Sequence, residues 1–452
     1  MTTLKPYPEY VKSDIGWVEI LPSHWESGSL RRLANIYAGG TPDRSRPDFW
    51  QHGSVPWINS GAVNDWVITK PSALISEEAV RLSSTRWVPA KSVVIALAGQ
   101  GKTKGLPARL EIPTTCNQSM AAIVPNKFAN YRFLQFWILA NYQSVRNLAG
   151  GDLRDGLNLQ HIGSIGVPIP PITEQQAIAC FLDHETAEID EFIADQQQLI
   201  RLLNERRAAT ITQAVTRGLD DRVSVEYGGI DWLGKIPQHW TRSTLSRLGM
   251  SQESGTSVNG YGDPAEDETI GVLRTSCVSK GYFDSRENKT VVTDDIPRVS
   301  CLVRKGALIV NRANTPSLVG SVGYVDSTHS NLYLSDKLWQ IDFSLAHNRF
   351  IYWWSKSPAY KAQLQFHRVG VSVSMQNLSF ADFRHFDIAL PSVAEQQNIV
   401  DYLDLETAEI DATIADAKEA IELSKERRAA LISAAVTGKI DVRDHPAAKG
   451  AA

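Results

Sequence analysis

The sequence predicts a mixed α+β protein in which two globular units are separated by two long helices, arranged as a pseudo-two-fold internal repeat. Three observations predict it. Residues 170–220 recur at 391–441 without a gap, with 28 of 51 positions identical. From Thr173 to Thr216, and from Ala394 to Thr437, no Gly or Pro interrupts a run dominated by Ala, Glu, Gln, Leu and Arg, a composition that favours helix. Before each run lie about 140 residues that resemble each other weakly at best and read as mixed strand and helix.

The 452 residues are enough for roughly two to four domains. A hydrophobic share of 43% against 21% charged residues supplies real cores and excludes wholesale disorder. No apolar run reaches the ~18 residues that span a bilayer. Met1–Tyr10 lacks the basic and apolar regions of a signal peptide, so a cytoplasmic protein without a membrane partner is expected. Cys116, Cys180, Cys277 and Cys301 form no C-x-x-C pair, which predicts reduced thiols rather than a disulfide framework or a zinc site.

Each half opens on the same pattern. Trp17, Pro22, His24 and Trp25 match Trp232, Pro237, His239 and Trp240 at an offset of 215. A His-Trp pair after Pro reads as a folded entry turn rather than a catalytic group. Within the variable units, Lys91–Leu97 and Gly306–Val310 read as buried strands, and Tyr131–Tyr142 and Asn348–Tyr360 as short aromatic helices.

The long helices follow. Thr173 is placed to cap the first, with Gln176 three residues on. Apolar residues recur at Leu182, Ile189, Ile193, Ile200 and Leu203, and in the second copy at Leu403, Ile410, Ile414 and Ile421, with the 3-4 spacing of a heptad. A helix of about 44 residues is roughly 66 Å long and is unstable alone in water. The two stripes most simply bury each other in a coiled coil; the alternative is that each packs on its own unit. Gln196, Arg207, Ser424 and Arg428 interrupt the stripes. The repeated Glu-Arg-Arg at 205–207 and 426–428 is open to two readings, an intrahelical ion pair or a phosphate clamp.

The net charge of −4 hides a sorted distribution. Residues 1–172 carry +5 and residues 223–390 carry +1, whereas 173–222 and 391–452 carry −5 each, and all 12 Trp lie outside the helices. Phosphate binding needs local Lys and Arg, so nucleic acid, if bound, meets the globular units and not the helices.

Chemical motifs are few. Ala96–Thr103 approaches a Walker A loop, but Ala96 replaces the first Gly, and Gly105 and Pro107 oppose the helix that must start at Lys-Thr. A flexible basic loop is the better reading. Zinc-protease, serine-hydrolase, dinucleotide and amino-methylase signatures are absent, so no catalytic residue and no metal site is assigned. Bases are read by Arg or Lys at guanine and by Asn or Gln at adenine. Candidates in the first unit are Gln100, Lys102, Lys104, Arg109, Asn117, Gln118, Arg154 and Asn158; in the second they are Arg312, Asn314, Lys337, Arg368, Gln376 and Asn377.

These repeated elements (Pro-x-His-Trp openings, Glu-Gln-Gln helix starts, Leu-Asp-x-Glu-Thr-Ala-Glu-Ile-Asp cores and Val-Thr-x-x-x-Asp ends) resemble the specificity subunit of Type I restriction-modification enzymes over about residues 7–443. The resemblance implies two target recognition domains, 1–172 and 223–390, joined by conserved helical spacers, 173–222 and 391–443, in an antiparallel coiled coil. Residues 444–452 fall outside it and are expected to be a disordered tail. It implies double-stranded DNA as ligand, each domain reading one half of a split, asymmetric target. It further implies two methyltransferase subunits and two translocase and nuclease subunits as partners. S-adenosylmethionine, ATP and Mg belong to those partners, and none to this chain. Two rival classes are a coiled-coil adaptor with no DNA role, which leaves the basic aromatic units unexplained, and a self-contained nuclease or methyltransferase, which needs a catalytic constellation.

Overall fold

The computed structural model describes residues 4–99, 102–150, 156–367, 369–372 and 375–451. The chain forms two compact units whose boundary cuts through both long helices: one holds residues 1–196 and 418–452, the other residues 197–417. Each long helix therefore lies half in one unit and half in the other.

In the first unit a sheet of five strands has the order β1-β9-β6-β7-β3, with β1 (Ala34–Ala38), β3 (Val67–Ile68), β6 (Ser92–Ala96), β7 (Pro107–Leu110) and β9 (Met120–Pro125). A second sheet orders β2 (Val55–Ile58), β4 (Ala73–Ile75), β5 (Trp87–Val88) and β8 (Thr114–Cys116) as β4-β2-β8-β5. The central strand β6 is buried at every residue, as its unbroken apolar run requires. The helix α1 (Tyr131–Ala140) buries Phe133, Leu134, Phe136, Trp137 and Ile138 against this sheet and the long helices. The short helix α2 (Leu159–Gly163) closes the unit.

The second unit repeats this plan despite its dissimilar sequence. β10 (Met250–Ser254), β13 (Leu308–Asn311), β15 (Val322–Tyr324) and β17 (Leu338–Phe343) form β10-β17-β13-β15. β11 (Gly271–Leu273), β12 (Asn288–Thr290) and β16 (Leu332–Tyr333) form β12-β11-β16, and β14 (Ala313–Asn314), β18 (Val369–Ser372) and β19 (Met375–Asn377) form β14-β19-β18.

The first long helix, α3, spans Ile172–Arg217, and the second, α7, spans Val393–Val436. Thr173 lies inside the first turn and not at its cap: the amides of Glu174 and Gln175 donate to the Pro171 carbonyl at 2.9 and 3.0 Å. Leu182, Ile189, Leu403, Ile410, Ile414 and Ile421 are buried, and Ile193, Ile200 and Leu203 half-buried, so the predicted stripe is the inward face. In the first unit Arg428 of α7 donates to Asp190 of α3 at 2.9 and 3.1 Å, and Arg427 lies 3.9 Å from Glu185. In the second unit Arg207 meets Asp411 at 3.3 Å and Arg206 meets Glu406 at 3.1 Å. Among the described residues, the repeated Glu-Arg-Arg thus pairs between the helices and not within one. It binds the Glu-Thr-Ala-Glu-Ile-Asp of the other helix, antiparallel and in the same register in both units. The seam positions Arg207 and Arg428 that break the apolar stripe are the ones that set this register.

Other repeated residues fasten each unit to its helix ends. Glu174 accepts hydrogen bonds from the Trp25 indole at 3.0 Å, from His24 at 3.0 Å and from the Tyr7 hydroxyl. Burial, then the hydrogen bond to Glu174, push the Tyr7 phenol well above its ordinary pKa. Glu395 does the same for Trp240 and His239 at 3.0 Å each. The Gln175 and Gln396 side chains accept the backbone amides of Asn130 and His347 at 2.8 Å and donate to the carbonyls of Pro170 and Pro391 at 2.9 Å. Asp183 takes Arg132 at 2.9 Å, and Asp404 takes Arg349 at 2.6 Å. The conserved-looking repeat is therefore a set of fasteners for two unlike heads.

At the helix ends, Gly218 and Gly438 adopt φ of +79° and +70°, the left-handed geometry that ends helices. In the first unit the N-terminal segment docks there: the Asp441 backbone amide donates to the Lys5 carbonyl at 2.7 Å and the Tyr10 hydroxyl to the Gly438 carbonyl at 2.9 Å. A Cβ on Gly438 would stand 2.5 Å from Pro22, whereas on Gly218 its nearest neighbour is 3.2 Å away. Gly438→Ala is expected to cost more than about 2 kcal/mol and Gly218→Ala roughly 1–2 kcal/mol. Urea denaturation of the two variants checks the order; equal losses would remove the Pro22 contact as its cause.

The segment after Asp444 corrects another expectation. His445 packs on Phe181 with centroids 4.9 Å apart, a 3-10 turn spans Pro446–Ala451, and Ala448 is buried in the first unit's core. Its apolar Pro-Ala-Ala content suits it to that cover. The four cysteines are free thiols, and burial pushes that of Cys116 up to about 12. No helix among the described residues is long and apolar enough to cross a membrane.

Candidate DNA interface

The strand ends of each unit gather most of the candidate base readers. In the second unit β13 runs out at Asn311. The next residue, Arg312, donates its amide to the Lys337 carbonyl at 3.1 Å and accepts from the Leu378 amide at 2.8 Å. β14 then pairs with β19, setting Ala313 opposite Asn377 and Asn314 opposite Gln376. Backbone pairing thus brings Arg312, Asn314, Lys337, Gln376 and Asn377 to one place, although they come from three segments. Arg312, Lys337 and Asn377 are exposed. Asn314 Oδ1 is occupied by the Thr315 amide at 2.7 Å, and the buried Gln376 Oε1 has no partner among the described residues.

The first unit has the same frame with other side chains. β6 ends at Ala96, and Leu97 donates to the Ser119 carbonyl and accepts from the Leu157 amide, both at 2.8 Å. Leu97 and Ser119 stand where the second unit has Arg312 and Lys337. Next to Ser119, Gln118 is exposed and accepts from the Thr41 hydroxyl, and Asn117 Oδ1 is a buried acceptor with no partner among the described residues. Asn158, which follows Leu157, caps α2 by accepting the His161 amide at 2.8 Å; Ser379, which follows Leu378, caps α6 (Phe380–Phe383) the same way at 3.0 Å.

The Walker-like segment is a loop. Its described part runs through Lys102 and Gly105 into β7 at Pro107, with no helix starting at Lys102. Lys102 is exposed, and its carbonyl accepts from the Tyr142 hydroxyl at 2.5 Å. Lys104 is buried, with 4% of its surface exposed. Arg109 is spent elsewhere: it pairs with Asp183 of α3 at 2.6 Å and lies 3.5 Å from Glu111. It is a strut between sheet and helix and leaves the base-facing set. Gln100, Arg154 and Arg368 lie outside the described residues.

Comparison with known proteins decides the family. The model of the Type I restriction modification DNA specificity domain matches residues 22–201 and again 238–423. The chain belongs to that specificity family. Among its relatives, the EcoKI specificity subunit of Escherichia coli K12 is 21% identical over 390 residues, covering 84% of this chain and 81% of that protein. The EcoR124I/EcoR124II specificity subunit of Escherichia coli is 31% identical over 159 residues, which span 34% of this chain and only 39% of that relative. In fold, the HsdS subunit from Thermoanaerobacter tengcongensis superposes with a TM-score of 0.55 at 15% identity, covering 93% of this chain and 98% of that one. A chain solved in work on assembly and conformational transition of the type I R-M system gives 0.69 at 13% identity, covering 93% and 99%. A specificity-family chain is a recognition component and not an enzyme, which accords with strand ends that present amides and guanidinium groups.

Proposed function

We propose that this specificity chain reads a two-part, asymmetric sequence in double-stranded DNA, one half with each globular unit. The observation that carries the reading is the shared frame with unlike side chains: Leu97 and Ser119 in one unit, Arg312 and Lys337 in the other, held by the same backbone hydrogen bonds. Arg and Lys favour guanine edges, which Leu and Ser do not, so the two half-sites differ. The long helices fix the unspecified spacer and dock two methyltransferase subunits, with two translocase and nuclease subunits completing a cytoplasmic complex. S-adenosylmethionine, ATP and Mg are held by those partners.

Inserting Thr-Ala-Glu-Ile after Ile189 tests the spacer role. Four helical residues add about 6 Å, close to two base pairs at about 3.4 Å each. Mapping methylated adenines in a host carrying the insertion is expected to show a longer spacer between unchanged half-sites. Altered half-site bases would defeat the reading.

A further inference from the structure

We propose that the second unit carries a phosphate pocket that takes a backbone phosphate of the bound duplex. This rests on the DNA-binding reading above and adds to it a site that no base-reading residue supplies. The pocket has a volume of about 480 Å³, and its described lining includes Lys280, Lys356 and Lys361 with Ser279, Ser317 and Ser321, but no Asp or Glu. Three lysines line one open cavity whose described wall holds no carboxylate; Asp284 balances Lys280 from outside that wall, and Lys356 and Lys361 leave a local excess of donors and positive potential that suits an anion.

The three come from separate elements. Lys280 follows the 3-10 turn Thr275–Val278, Lys356 lies between α4 (Asn348–Trp354) and α5 (Pro358–His367), and Lys361 is in the first turn of α5. Lys356 is fixed: its Nζ donates to the Val322 carbonyl at 2.6 Å and stands 4.3 Å from the Tyr352 ring centroid. Burial pushes its pKa down to about 7, and an anion held beside it would favour its charged form. Lys280 is held 3.3 Å from Asp284, while Lys361 is exposed and in no ion pair among the described residues.

Position links the pocket to the duplex. Its wall at residues 316–322 continues directly from Asn314 and Thr315, so one chain segment joins the base-facing strand end to the amines. Phosphate contacts of this kind set orientation without reading sequence. In the first unit the matching loop is held instead by Tyr142, whose hydroxyl binds the Lys102 carbonyl and receives Arg146 at 3.0 Å.

The test uses the full chain, a short labelled duplex of arbitrary sequence, and binding measured by anisotropy from about 50 to 200 mM salt. Lys361→Gln, on the surface, and Lys356→Met, shaped to keep the packing, are each expected to weaken binding several-fold for every duplex. Each also flattens the slope of log K against log salt by about 0.9. Lys305→Gln, at an exposed lysine outside the pocket, is expected to leave the slope in place. An unchanged slope in Lys361→Gln overturns the proposal while the DNA reading stands; failure of the unmodified chain to bind any duplex overturns both. Inorganic phosphate, compared with chloride at equal ionic strength, separates the two sources of the anion. A Lys361-dependent rise in melting temperature with phosphate, beside an unchanged duplex slope, would make this a free-phosphate site and sink the DNA assignment.

Discussion

Glu174→Ala is expected to destabilise the first unit by about 3–5 kcal/mol, the cost of stripping one side from a buried charged network. Glu174 is 4% exposed, and its two oxygens serve the Tyr7 hydroxyl, the Trp25 indole and the His24 ring. Deleting the carboxylate leaves those donors without an acceptor, each an unmet desolvation cost of about 1–3 kcal/mol. The same change at Glu395, which is 28% exposed and among the described residues serves Trp240 and His239, is expected to cost less, about 1–3 kcal/mol. Glu174→Gln keeps one acceptor oxygen and should fall between. Thermal unfolding followed by tryptophan fluorescence reads all three, with the first unit melting earlier in Glu174→Ala. Similar small losses in all three would show that the network does not hold the N-terminal segment.

Exchange of residues 1–172 for the equivalent part of a relative is expected to change one half-site of the target completely and leave the other untouched. Specific sites outbind non-specific DNA by about 10³-fold or more, so the old half-site should vanish from the map of methylated adenines. The structure adds a condition. The incoming segment must bring an Arg to meet Asp183, an N-terminal amide of α1's flank to meet Gln175, and the Tyr, His and Trp that meet Glu174. A segment with those fasteners should fold on the resident helices, and one without Arg132's counterpart should not. A change in both half-sites would show that the two units do not read independently.

These fasteners explain what the sequence made legible. Glu174, Gln175, Asp183 and the Glu-Arg-Arg triplets recur because two unlike heads attach to one repeated support, so a comparison of the chain with itself exposes the support and hides the heads. The strand β6 was visible as an apolar run, and α1 as an aromatic one. The partners were not. Heptad spacing shows which face of α3 is buried but not against what, so the division of each helix between two units, and the cross-helix partners of Arg207 and Arg428, needed coordinates. Arg109 looked like a free cation because its partner, Asp183, is 74 residues away. The tail reads as disordered because its few apolar residues have no period. Lys280, Lys356 and Lys361 carry no local signal at all, since only the folded connections bring them to one cavity.

The pairing of Lys5 with Asp441 has a consequence for how the protein is made. The unit of residues 197–417 is a continuous stretch and can close as soon as it leaves the ribosome, whereas the unit begun first must wait for residues 418–452 to be made. Folding order therefore inverts translation order. Nascent chains stalled short of Lys418 should carry a finished C-terminal reader beside an N-terminal one still open to proteases.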